Sequence, residues 1–260
     1  MRRFFLIVGV ILILGPLAYA QGSVDSLIIQ GKGQIQAAVD GWDLQGMQAA
    51  RGFFERLAND PTYPWLAHYY IGYADMRIVT YYFSKEDKAK ALEYVNDGIK
   101  HLKKSIELNG DFAESYSLLS SLYGNKIGLK PLLGMILGPK SGAAQKKAFQ
   151  LDPQNPRSHL IAGESAYYTP KLFGGGRGKA LKYLHQAAEY FATYRPAGKI
   201  YPSWGYEEAY AYLGLIQMDK GNFEQARENF QKALEINPNY GWVKFYLMKE
   251  LEKKASEEKK

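Results

Sequence analysis

The chain has 260 residues, 33 basic against 26 acidic, a formal net charge of +7 and no cysteine. Lacking cysteine, it has neither disulfides nor thiolate metal sites, so its stability rests on its core. Without Arg2 and Arg3 the balance is 31 to 26, or +5, and basic and acidic residues are interleaved, as in 249–254. That mixing describes a solvated surface and offers no single-sign block for nucleic acid.

The N-terminus reads as a secretory signal. Arg2 and Arg3 supply the positive end, 4–14 is an uncharged apolar run, and Ala18, Tyr19 and Ala20 form a small-x-small cleavage site. The run is too short to span a bilayer comfortably, and no later stretch is apolar enough to do so. The expected organisation is a signal peptide over 1–20, cleaved after Ala20, and one domain over 21–260. The expected address is periplasmic or secreted, with no integral membrane segment after cleavage.

In chain order the sequence predicts helices in pairs. The first pair covers 25–39 and 43–58, with Asp43 as an N-cap. The second covers 64–82 and 85–108, and the third 111–123 and 141–151. The fourth covers 156–168 and 177–194, and the fifth 204–219 and 222–236. An amphipathic stretch over 240–253, ending in charges, suits a terminal capping helix. The second helix of a pair repeatedly stops at a breaker: Pro61, Gly110, Pro153 and Pro238.

The last pair carries the clearest pattern. Tyr210, Leu213 and Gly214 form one stripe, Gly221 and Asn222 break the helix, and Ala226, Phe230 and Ala233 form the facing stripe. Small residues let the backbones approach while the aromatic and leucine side chains fill the gaps. This resembles the tetratricopeptide repeat, a unit of roughly 34 residues. The marks recur upstream at His68, Ile71 and Gly72, at Tyr116 and Leu119, and at Gly163, Ala180, Leu184 and Ala187. The expected fold is therefore all-α: a helix-turn-helix repeat solenoid of about five pairs plus a C-terminal capping helix.

The resemblance implies a concave groove lined by first-helix positions beside the packing stripe. By register these include Tyr69, Tyr73, Arg77, Ser121, Asn125, Arg157, Glu164 and Tyr168. Relatives that clamp a carboxylate need Lys and Asn at several such places, where this chain has Tyr69, Leu160 and Ala211. The function it implies is a periplasmic scaffold or adaptor that binds a protein or peptide segment of the cell envelope in the groove.

Three segments depart from the repeat. The turn over 124–140 carries about nine extra residues relative to the usual unit. It is apolar, with Leu129, Leu132, Leu133, Met135, Ile136 and Leu137. Pro131, Gly134, Gly138 and Pro139 argue against a long regular helix there. The turn over 169–176 holds Leu172, Phe173 and three glycines, and 195–204 is rich in Pro, Gly and aromatics. The alternative function follows from the first of these: an exported helical-repeat protein holding a small hydrophobic molecule under the 124–140 loop, in the service of a transporter.

Enzymatic chemistry finds no support. Gly174 to Lys179 is not a phosphate loop: three residues rather than four separate Gly174 from Gly178, and Ala180 replaces the magnesium-binding hydroxyl. Arg177, Lys179 and a helix start could at most hold an anion. His68, His101, His159 and His185 lack the spacing of a zinc helix, and no nucleophile–base or paired-carboxylate set emerges. No cofactor is expected.

Overall fold

The computed structural model describes residues 15–258, which form eleven α-helices without a strand. Most of the expected signal segment, 1–14, lies outside the described residues. The helices are α1 (Gly15–Asp40), α2 (Leu44–Leu57), α3 (Pro64–Ser84), α4 (Lys88–Leu108), α5 (Ala113–Leu129), α6 (Gly134–Leu151), α7 (Pro156–Tyr168), α8 (Arg177–Thr193), α9 (Tyr206–Asp219), α10 (Phe223–Ile236) and α11 (Met248–Glu258). Each pairs with its neighbour, α1 with α2 through α9 with α10, and α11 covers α10. Among the described residues no helix is long and apolar enough to cross a membrane.

Local chemistry places the helix starts. Asp87 accepts a hydrogen bond from the Lys90 backbone N–H and opens α4. Asn155 accepts from the N–H groups of Arg157 and Ser158, and Pro156 supplies a preset first residue for α7.

The last pair packs as its pattern predicts. Leu213, Gly214, Ala226, Phe230 and Ala233 are buried. A Cβ on Gly214 would lie 2.5 Å from the Phe230 ring and 3.1 Å from the Ala226 carbonyl oxygen. Gly214→Leu is therefore expected to destabilise the protein by about 1–3 kcal/mol, because the helices must separate to admit the side chain. An unchanged denaturation midpoint would contradict this contact.

The 124–140 segment corrects the expectation of an irregular loop. α5 continues to Leu129, a short 3-10 turn spans Pro131–Leu133, and α6 starts at Gly134 with Pro139 inside it. The proline removes one helical N–H, yet the packing stripe outweighs that loss. Leu137, Ala144 and Ala148 are buried on one face, and Ser141 Oγ on the same face donates to the Ser120 carbonyl at 3.0 Å. Leu129 and Leu133 are half-buried against the core, whereas Leu132, Met135 and Ile136 remain exposed.

Candidate functional site: a filled groove and an open turn edge

The concave side of the solenoid is occupied by its own chain. The 195–205 segment, between α8 and α9, runs along it as a strap. Tyr70 donates its hydroxyl to the Ile200 carbonyl at 2.6 Å, and Arg157 Nη2 donates to the Pro202 carbonyl at 2.7 Å. Lys32 donates from α1 to the carbonyls of Lys199 and Tyr201. Trp204 anchors the strap: its ring stacks on Tyr73 at 4.7 Å, and its Nε1–H donates to the Tyr69 hydroxyl at 3.0 Å. The guanidinium groups of Arg77 and Arg157 lie over the same indole, at 5.2 and 5.7 Å.

Two charged pairs join elements across this interior. Arg77 makes a two-pronged bond to Glu208 at 2.6 and 2.5 Å, joining α3 to α9. Glu114 faces the buried Arg157 at 3.6 Å. Burial, with the negative charge of Glu208 adding to it, holds the Glu164 carboxyl well above the usual carboxylate range. Desolvation, and then the nearby Arg157, pull the Lys32 ammonium down to about 8. The ends of the solenoid also meet. Asn237 donates to Asp40 at 2.9 Å, and Gly241 packs so tightly on the Asp40 carbonyl that a Cβ there would lie 2.2 Å from its oxygen.

The groove expected from register is therefore the inside of the protein. Tyr69, Tyr73, Arg77 and Arg157 are buried, and Glu164 is half-buried with one carboxyl oxygen unpartnered. Ser121 and Asn125 are half-buried, and Tyr168 is exposed. Four of the eight residues are buried together, and they hold the strap rather than line an open channel.

Three of the four histidines are engaged in packing, and His185 is exposed. His68 and His101 face each other across α3 and α4, Nδ1 to Nδ1 at 2.8 Å. Burial lowers both, with His101 pushed down to about 4 and His68 its next cause, so the pair is neutral at pH 7. His159 packs among Phe149, Tyr183 and Tyr190 and reaches the Pro153 carbonyl at 2.9 Å. Among the described residues no three His, Asp or Glu side chains converge on a metal position.

The α7–α8 turn is accessible instead. Gly174 and Gly176 have φ of +82° and +107°, and a Cβ on Gly175 would lie 2.0 Å from the Thr169 carbonyl oxygen. The glycines thus serve the turn itself. They fold it back onto α7, where the Gly176 N–H donates to the Ala166 carbonyl at 2.7 Å. The result is an open cleft of about 680 Å³ lined by Tyr167, Tyr168, Pro170, Lys171, Arg177 and Lys220 among others.

The two tyrosine rings meet edge to face at 4.9 Å, and Tyr212 stands behind both. Asp219, beside the cleft, accepts from Tyr167 at 2.8 Å and from Arg177 at 2.6 and 3.1 Å. Burial, and then the bond to the Asp219 carboxylate, raise the Tyr167 phenol well above its ordinary value, so it stays protonated as a donor. Lys171 and Lys220 add positive charge without a carboxylate in the lining. Sequence reasoning isolated the turn and the cations Arg177 and Lys179. The approach of Lys220 and Asp219 to Tyr167 is not visible in the sequence, because it depends on how α9 ends against α7.

The tetratricopeptide repeat family model matches residues 207–240. Comparison with curated protein sequences returns no match. Among solved structures, the HusA haemophore from Porphyromonas gingivalis is similar, with a TM-score of 0.62 and 23% identity over 76% of this chain and 92% of that one. A thermophilic tetratricopeptide protein of Thermus thermophilus, TTC0263, gives a TM-score of 0.53 and 20% identity over 82% of this chain and 95% of that one. Residues 207–240 are a tetratricopeptide repeat, and the chain as a whole has a tetratricopeptide-like helical-repeat fold.

Proposed function

We propose that this protein is an exported carrier that binds a small, flat, apolar molecule bearing acidic groups in the cleft of the α7–α8 turn. The carrying observation is the cleft itself, where two tyrosine rings stand beside Lys171, Arg177 and Lys220. Aromatic rings take up a flat apolar body, and cations take up its carboxylates. The filled groove supports the reading, because an extended peptide would first have to displace the strap. So does the likeness to a haemophore, haem being a flat molecule with two carboxylates. The ligand place expected under the 124–140 segment thus moves to the next turn. Export to the periplasm or outside the cell, with the signal removed after Ala20, belongs to the same proposal.

Titration of the protein with haemin and with metal-free protoporphyrin, followed by absorbance and tryptophan quenching, tests it. Both are expected to bind saturably. Tyr168→Ala combined with Arg177→Glu is expected to weaken binding by about tenfold or more, since each contact contributes on the order of 1 kcal/mol. No saturable binding by the wild type, or equal binding by the variant, would overturn the reading.

A tetratricopeptide-like fold is the architecture of a protein-binding scaffold, and such scaffolds are generally non-enzymatic. The repeat at 207–240 therefore supports a second reading, a protein partner in the cell envelope. With the groove filled, that partner would meet the outer faces, and crosslinking in envelope extract would report contacts there rather than at Tyr69 or Arg77.

A further inference from the structure

Among the described residues, the most exposed large apolar side chains are concentrated on two turns. Leu132 and Met135, at the α5–α6 turn, are 95% and 91% exposed. Leu172 and Phe173, at the α7–α8 turn, are 87% and 75% exposed. The two turns emerge at the same edge of the solenoid. Ser117 of α5 and Ser158 of α7 are hydrogen-bonded side by side at 2.7 Å, and α5 packs directly on α7. From that bond the first helix runs on to Leu129 and the second to Tyr168. At 1.5 Å per residue these are rises of roughly 18 and 15 Å, so the turns stand at similar height.

The charge on this edge is predominantly positive. The sequence has no Asp or Glu between Glu114 and Asp152, nor between Glu164 and Glu189. Around the turns these stretches carry Lys126, Lys130, Lys140, Lys171, Arg177 and Lys179. Of these six, Arg177 alone is ion-paired among the described residues, to Asp219. Asp219, at the end of α9, is the carboxylate that reaches this edge, and it is held by Arg177 and Tyr167.

We propose that this edge docks on the surface of an anionic phospholipid bilayer. Leu132, Met135, Leu172 and Phe173 enter the headgroup region, and the lysines lie at the level of the lipid phosphates. Separate apolar tips ringed by cations match a lipid interface, where apolar burial and attraction to anionic lipid act together. The proposal stands on the turns and their charge, independently of the ligand reading. It would place the cleft of the α7–α8 turn beside the bilayer.

The test uses protein as processed on export, sedimented with vesicles of mixed phosphatidylglycerol and phosphatidylcholine and with phosphatidylcholine alone. Wild-type protein is expected to bind the anionic vesicles. Raising ionic strength from about 0.1 to about 0.5 M is expected to weaken that binding several-fold, as screening shortens the reach of the lysines. Leu132→Ser with Met135→Ser, Leu172→Ser and Phe173→Ser is expected to weaken it at least tenfold with an unchanged circular dichroism spectrum. Lys126→Glu with Lys130→Glu should act in the same direction. The pair Leu132→Ser and Met135→Ser should leave porphyrin binding intact, which separates this proposal from the ligand reading. Absence of wild-type binding to anionic vesicles, or equal binding by the quadruple variant, would overturn it.

Discussion

Trp204→Ala is expected to destabilise the protein by about 3–5 kcal/mol, the cost of removing a fully packed large aromatic side chain. The indole is 4% exposed. It fills the space between Tyr73, Tyr69 and the guanidinium groups of Arg77 and Arg157. Its loss leaves the Tyr69 hydroxyl without its donor and opens the interior beneath the strap. Chemical denaturation measures this directly. A loss below about 1 kcal/mol would mean that the strap is not packed against the concave side. Trp204→Phe keeps most of the ring and is expected to cost less, separating packing from the Nε1 hydrogen bond.

The second large effect is expected at the Arg77–Glu208 pair. Both side chains are buried, so Glu208→Ala leaves a guanidinium in the interior without its counter-charge. That costs about 3–5 kcal/mol, whereas replacing both partners with apolar residues of similar size costs far less. Arg77→Met with Glu208→Leu should therefore recover much of the stability lost in Glu208→Ala alone. In a chain of this size each kcal/mol moves the melting temperature by roughly 2–4 °C, so the single and double variants separate clearly. Equal loss in the two would mean that the pair is not isolated from water.

The repeat was legible because its marks are local. Gly214 meets Phe230 within one helix pair, and the stops at Pro153 and Pro238 fall where second helices end. The start of α6 was less legible. Gly134, Gly138 and Pro139 argue locally for a break, but the stripe from Leu137 to Ala148 against α5 is a tertiary gain that no local signal reports.

The filling of the groove was not legible for a related reason. The strap has no helical period, and its partners lie far away in sequence: Tyr70 meets Ile200 across 130 residues, and Tyr69 meets Trp204 across 135. Tyr69, Tyr73, Arg77 and Arg157 all contact the strap, and register alone does not say what covers them. Tyr and Arg suit an interface, and here the interface is with the chain's own strap.

On the proposed reading the strap closes the concave side and ligand binds at the turn edge. Hydrogen exchange with and without protoporphyrin tests it most directly. Slow exchange along α3 and α9 is expected in the free protein, with ligand-dependent protection confined to the end of α7, the 169–177 turn and the end of α9. Fast exchange at the strap in the free protein, with new protection at 69–77 and 198–208 on adding ligand, would contradict it and restore the groove as the binding site.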